Sequence, residues 1–201
     1  MANSGTVFLI DDDVGVRDSL SLLLSLKGVR TLPFVNAESF IETYRPEWPG
    51  CVLTDLRMPG MTGLELQAAL RGRGMEVPVV LLTAHGVVAT ACAALKNGAF
   101  DFLEKPIDDG LLLQVLENAL RVDRERRAAT ASRSSADARL ERLTAREREI
   151  LTLISAGHPN REVASRLGIS PRTVEVHKAR IMEKLACRSL AELIRMHGTS
   201  G

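Results

Sequence analysis

Over its first 120 residues the chain alternates short apolar runs with longer stretches whose hydrophobic positions recur every three or four residues. TVFLI (6–10), RTLPFV (30–35), CVLT (51–54), VPVVLL (77–82) and FDFL (100–103) read as strands. Most are continuously apolar rather than alternating, the pattern of parallel strands covered by helices on both faces. Helices are predicted over 14–27, where Val16, Leu20, Leu23, Leu24 and Leu26 form a helical pattern stopped by Gly28, and over 37–44. Two more are predicted over 64–71, after a Thr62/Gly63 start, and over 87–97, before Gly98. A fifth starts after Asp108 or Asp109. Five βα units in series predict a doubly wound, five-stranded parallel α/β domain.

The pattern then changes twice. Residues 121–143, RVDRERRAATASRSSADARLERL, are rich in Arg, Ala and Ser and poor in large apolar side chains. They read as an extension of the fifth helix into a linker, open to a break near Ser132–Ser135, where propensity weakens. Residues 144–201 carry only helical patterns. Thr144 and Glu147 form a T-x-x-E capping box opening a helix to about Ala156, ended by Gly157. Asn160 is expected to cap a second helix closed by Gly168; Ser170 caps a third with Pro171 at its first position, and a fourth covers Ser189 to about Met196. This half is expected to be an all-α, four-helix unit.

Charge divides the chain in the same way. Residues 1–120 hold 9 Lys and Arg against 15 Asp and Glu, residues 121–143 hold 7 against 4, and residues 144–201 hold 10 against 6. The overall net charge of +1 therefore averages an acidic front with a basic back suited to a polyanion. Cys51, Cys92 and Cys187 are odd in number and without C-x-x-C spacing, as expected of reduced thiols. MANSG lacks a basic signal region, and Leu20–Leu26 is too short to span a bilayer. A cytoplasmic protein with no membrane partner is expected.

The strand ends carry the chemistry. Asp11 and Asp12 follow the first strand, Asp55 the third, Thr83 the fourth and Lys105 the fifth. In an open α/β sheet, ligands gather beyond the carboxyl ends of the strands. Three carboxylates there repel unless a hard cation holds them, and Mg²⁺, an oxygen-binding ion, suits the set. The group then comprises a cation site, a candidate nucleophile and two stabilisers of phosphoryl charge. Asp13 has a simpler use as N-cap of the first helix.

VFLIDDD, VLTDLRMPGMTG, VVLLTAHG and GAFDFLEKP resemble the receiver domains of two-component response regulators across residues 6–121. The resemblance implies that Asp55 is the phosphoacceptor, and that Asp11, Asp12, Asp55 and the backbone carbonyl of Arg57 hold Mg²⁺. It makes Thr83 and Phe102 a switch pair, Lys105 a phosphate contact, and the bond before Pro106 cis. Arg57 and His85 stand where they could tune the phosphate's lifetime.

HPNREVASRLGISPRTVEVHKARIMEKL (158–185) has the layout of a helix-turn-helix. On a wheel of its second helix, Val174, Ile181 and Leu185 share one face, with His177 beside them. Arg172, Glu175, Val176, Ala179 and Glu183 lie opposite, flanked by Thr173 and Arg180. Such a face suits base readout, with Arg for guanine, Glu for cytosine N4 and Val or Ala for a thymine methyl. LTAREREIL, AGHPNREVASRLGIS and RTVEVHKARIMEKL closely resemble the LuxR/NarL-type DNA-binding domain, and the whole layout resembles FixJ-like regulators. The resemblance implies a major-groove helix contacting double-stranded promoter DNA through Arg172, Thr173, Glu175, Val176, Lys178, Ala179, Arg180 and Lys184. Many relatives carry Lys where Glu175 stands, so the preferred DNA sequence stays open.

The expected protein is a phosphorylation-controlled transcriptional regulator with a receiver over 1–121, a linker over 122–143 and a DNA-binding domain over 144–201. It is not an enzyme beyond self-catalysed phosphoryl transfer to Asp55 and its hydrolysis. Its expected partners are a histidine kinase, DNA, a second copy of itself upon phosphorylation or on DNA, and RNA polymerase. Two alternatives stay open. A Mg²⁺-dependent aspartyl-phosphate phosphatase would turn over small phosphate esters, although Asp55-Leu56-Arg57 lacks the usual D-x-D. A phosphorylation-independent DNA-binding protein would ignore acetyl phosphate.

Overall fold

The computed structural model describes residues 5–84, 98–187, 189 and 191–194. The chain divides into two compact units, Met1–Arg127 and Ala128–Gly201. The helix expected over 87–97 and His85 lie outside the described residues, as does part of the last expected helix.

In the first unit, strands β1 (Thr6–Ile10), β2 (Arg30–Phe34), β3 (Gly50–Asp55), β4 (Val79–Ala84) and β5 (Asp101–Lys105) form one sheet of order β2-β1-β3-β4-β5. All its pairings are parallel. Strand order reverses between β1 and β3, which opens the ligand crevice of doubly wound folds at that place. The apolar runs are explained by burial: every residue of β3 is buried, as are Val7 to Ile10 of β1 and Val79 to Leu82 of β4. Strand β2 is the exception. It forms an edge, three of its five residues are exposed, and the edge accommodates Pro33, which has no N–H to donate to a further strand. β4 begins after Pro78, two residues later than the apolar run suggests.

Helices α1 (Val14–Leu26), α2 (Ala37–Thr43) and α3 (Gly63–Gly72) start at side-chain caps supplied by Asp13, Asn36 and Thr62. Leu20 and Leu24 bury the inner face of α1. Leu26, assigned to the same pattern by sequence, is exposed at the last turn together with Leu22. Helix α4 (Asp109–Leu140) starts where Asp108 accepts the Leu111 amide, and it runs unbroken through Ser132–Ser135.

Two apolar layers sandwich the sheet. One contains Leu9, Leu24, Leu53, Leu82 and Leu116. The other contains Phe8, Ile10, Phe40, Val52 and Leu81. An aromatic group closes the second layer, with Phe8, Phe34, Phe40, Tyr44 and Trp48 in ring contact.

The second unit contains α5 (Ala145–Ser155), α6 (Asn160–Leu167) and α7 (Pro171–Leu185). Thr144 and Glu147 form the expected capping box. Asn160, expected as a cap, is instead the first helical residue of α6: the Pro159 carbonyl accepts the Glu162 and Val163 amides, so the turn closes one residue earlier. Gly168 ends α6 at φ +64, a left-handed conformation that a Cβ disfavours. The core joins Leu143, Ile150, Leu151, Ile154, Val163, Val174, Ile181 and Leu185.

Phe40→Ala should remove the centre of the aromatic group and destabilise the first unit by about 3–5 kcal/mol. Denaturant unfolding followed by the fluorescence of Trp48, the single tryptophan, checks this. An unchanged midpoint would show that the group carries little of the core's stability.

Candidate functional site

Ile10 pairs with Thr54, so the next residues of two adjacent strands, Asp11 and Asp55, emerge side by side at the switch point. Both carboxylates are buried, with side chains 2% and 11% exposed. Lys105, at the end of β5, reaches across the end of β4 and places its Nζ 2.6 Å from Asp55 Oδ1 and 3.0 Å from Asp11 Oδ2. One ammonium thus relieves the repulsion of two acids. Burial by itself would lower the pKa of Lys105; its hydrogen bonds to Asp55 and Asp11 outweigh that effect and hold it above the usual lysine value.

The remaining carboxylate oxygens are also bonded. Asp55 Oδ2 accepts the Arg57 amide at 2.7 Å, and Asp11 Oδ1 accepts the Asp13 amide at 2.9 Å. Asp13 caps α1 by accepting from Gly15 and Val16 at 2.7 and 3.2 Å. Asp12 is exposed on the same turn. Among the described residues no three His, Cys, Asp or Glu side chains are grouped as metal ligands. The structure therefore gathers Asp11 and Asp55 around Lys105 and leaves Asp12 outside that pair.

Thr83 is half-buried on β4, one residue past the partner of Asp55. Phe102, half-buried on β5, packs against the second apolar layer. The Lys105–Pro106 peptide is cis. Much of the DLRMPGMTG string is structural: Leu56 and Met58 are core residues, and Thr62 caps α3. Two contacts carry no sequence signal. Arg17 holds the Asp11 carbonyl at 2.7 Å, and Glu38 holds the Met61 amide at 2.9 Å. The first spans the turn from β1 into α1, whereas the second joins residues 23 positions apart that only the fold brings together.

In the second unit Val174, Ile181 and Leu185 turn inward from α7. Arg172, Glu175, Val176, Ala179 and Arg180 are exposed, and Val176 leaves 45% of its surface in solvent. Lys178 is half-buried. Thr173 is tied to the helix cap, its hydroxyl 2.8 Å from that of Ser170. Lys184 stands apart from the other expected DNA contacts. Its ammonium lies 2.6 Å from the carboxylate of Glu147, which is itself buried in the capping box of α5. Burial would raise the Glu147 pKa, but Lys184 and the Thr144 amide together hold it below the usual carboxylate value.

A receiver-type fold in one unit and a helix-turn-helix in the other make the architecture of a phosphorylation-dependent DNA-binding regulator. The profile of the response regulator receiver domain matches residues 7–117, and that of bacterial regulatory proteins of the luxR family matches residues 141–197. The chain belongs to the response regulators with a LuxR-type DNA-binding domain, a family of phosphorylation-dependent transcriptional regulators. It is 42% identical to the transcriptional regulatory protein FixJ of Azorhizobium caulinodans, over 98% of this chain and 93% of that protein. It is 39% identical to the C4-dicarboxylate transport transcriptional regulatory protein DctR of Rhodobacter capsulatus, over 96% and 99%. Among solved structures, the response regulator StyR superposes with a TM-score of 0.89 at 40% identity, covering 98% of this chain and 99% of that one. Full-length FixJ from B. japonicum gives a TM-score of 0.60 at 38% identity, covering 98% and 97%. These relatives are transcription regulators rather than enzymes in the ordinary sense, and the architecture implies a kinase and DNA as partners. No helix among the described residues is long and apolar enough to cross a membrane.

The depressed pKa of Glu147 has a definite sign. Its contribution to stability is present above the unfolded value of 4.5 and is lost as pH falls through the lower folded value. Glu147→Gln should cost the second unit about 1–3 kcal/mol at pH 7, because the Lys184 ammonium loses its counter-charge while the Gln amide oxygen still closes the capping box. The difference from the parent protein should narrow below pH 4.5, as denaturation series at pH 7 and at about pH 4 would show.

Proposed function

We propose that Asp55 accepts a phosphoryl group and that the resulting charge controls DNA recognition by α7. The observation supporting this is the Asp11–Lys105–Asp55 contact, in which two buried acids at the switch point share one cation. A carboxylate oxygen of Asp55 attacks the phosphorus of a phosphohistidine or a small phosphodonor, and the bond to the leaving group breaks. The transfer is catalysed by the receiver itself, as is the later hydrolysis, whose rate Arg57 and His85 tune.

The donor set fits Mg²⁺. Asp11 and Asp55 offer oxygen ligands on adjacent strands, the Arg57 carbonyl belongs to the loop after Asp55, and Asp12, exposed, follows Asp11 in the chain. Receiver domains generally use this ion at the phosphorylation site. When bound, it supplies positive charge against the phosphoryl oxygens.

The protein's own groups do the rest. Phosphorylation replaces the single negative charge of the Asp55 carboxylate with the nearly two of an acyl phosphate, displaced outward onto the phosphoryl oxygens. Lys105 turns from the carboxylates toward the phosphoryl oxygens, and the Thr83 hydroxyl donates a hydrogen bond to one of them. Phe102 rotates into the space that Thr83 leaves, and the surface near β5 changes. Residues 122–143 carry that change as a linker to the DNA-binding domain over 144–201.

Helix α7 enters the major groove, with Arg172, Glu175, Val176 and Ala179 towards the bases and Lys178 and Arg180 towards phosphates. Thr173 stays with the helix cap and Lys184 with Glu147, so both act by shaping the interface. Two copies pair upon phosphorylation or on DNA, and tethering raises the effective concentration of the second DNA-binding domain. RNA polymerase is the further partner, and the cytoplasm the setting.

Asp55→Asn should keep the wild-type circular dichroism and take up no label from acetyl phosphate with Mg²⁺. Retained label would place the acceptor elsewhere. Arg180→Ala should weaken binding across all DNA sequences and reduce the slope of log K against log salt by about 1. An unchanged slope would remove Arg180 from the phosphate contacts.

A further inference from the structure

Outside the phosphoacceptor site, another acid is buried without a role in the chemistry above. The side chain of Asp123 is 2% exposed, although its neighbours Arg124 and Glu125 on α4 are in solvent. A buried charge is costly unless fully paired, and this one is. Oδ2 accepts the Gly50 amide at 2.9 Å and Arg127 Nε at 2.7 Å, and Oδ1 accepts an Arg126 amino group at 2.6 Å. The two arginines reach further. Arg127 donates to the Trp48 carbonyl at 2.6 Å, and Arg126 bonds the Glu76 carbonyl and lies 3.4 Å from its carboxylate.

One turn of α4, residues 123–127, is thereby fastened to the segments that enter β3 and β4. Gly50 is the first residue of β3, at the opposite end of that strand from Asp55. A Cβ at Gly50 would lie 2.0 Å from the Thr6 carbonyl oxygen, so this strand start requires glycine. Beyond the clasp, every residue of α4 from Ala128 to Ser135 is exposed, and all are Ala, Thr, Ser or Arg. A stretch with no buried face gains its helicity from propagation, because forming a first turn alone is unfavourable. Three of its eight residues are serines, which are weaker helix formers than alanine. The part of α4 packed on the receiver through Leu112, Leu116 and Leu120 supplies the nucleus, and the turn at 123–127 is its last anchored turn before that stretch.

We propose that Asp123 is a positioning residue. It registers α4 on the receiver and holds the last anchored turn, from which the exposed linker helix continues, so that the phosphorylation-dependent change in DNA binding requires the clasp. The second half of this statement rests on the phosphorylation reading given above; the first half does not.

The test uses the full chain as wild type, Asp123→Asn, and the double variant Arg126→Gln/Arg127→Gln, which keeps the bond from Asp123 to Gly50. Three readouts are taken: amide hydrogen exchange, label uptake from acetyl phosphate with Mg²⁺, and affinity for a duplex selected from a random pool by the wild-type protein. In both variants, protection of the amides over 124–138 should fall at least about tenfold while β1 and β3 stay protected. Label uptake should remain within about twofold of wild type, and the affinity gained on phosphorylation should shrink at least about fivefold. Unchanged linker protection, or a full affinity gain in a variant that labels normally, overturns the proposal. So does an equal loss of protection in the strands, which would make Asp123 merely a stabiliser of the receiver. A wild-type protein that labels but gains no affinity would overturn the phosphorylation reading instead, with hydrogen exchange still deciding the positioning role.

Discussion

Two carboxylates at neighbouring strand ends repel each other, and the ammonium of Lys105 between them is what allows this sheet edge to exist. Asp11 and Asp55 come from strands that the parallel topology makes adjacent, whereas Lys105 comes from a strand two places away and depends on the length of its side chain to reach them. The arrangement fixes the relation of β1, β3 and β5 at the end where the proposed phosphoryl transfer takes place. It also makes the edge responsive to charge, because any group that adds or removes charge at Asp55 competes for the same ammonium.

A comparable economy governs the second unit. Glu147 closes the capping box at the start of α5 and simultaneously holds Lys184 near the end of α7. One buried acid thus satisfies a helix start and fixes the angle at which the exposed face of α7 is presented. Asp123 has the corresponding place in the first unit, joining a strand start to a turn of helix. At all three places an acid is buried only where cations and backbone amides complete its shell, as desolvation demands.

On the DNA-recognition reading proposed above, the outer face of α7 combines readout with repulsion. Arg172, Lys178 and Arg180 offer cations to a polyanion, and Glu175 sets a carboxylate among them. Near phosphate this carboxylate is unfavourable; near a cytosine or adenine amino group it is an acceptor. A negative side chain on a positive face therefore favours discrimination between sequences over general affinity.

Sequence by itself determined what depends on local pattern. The apolar runs placed all five strands to within a few residues, and the caps at Asp13, Thr62, Thr144 and Ser170 were legible because capping involves residues only two or three apart. The inward face of α7 followed from helical periodicity alone. Asn160 misled because the Pro159 carbonyl closes the first turn of α6 one residue earlier than the preferred capping residue would. Only the tertiary structure decided how distant charges pair. The reach of Lys105 to Asp11 and Asp55, the capture of Lys184 by Glu147, and the clasp of Asp123 on Gly50 join residues 37 to 94 positions apart. A charged residue in sequence does not reveal its partner, because the partner is set by which strands lie side by side and which helix faces are buried.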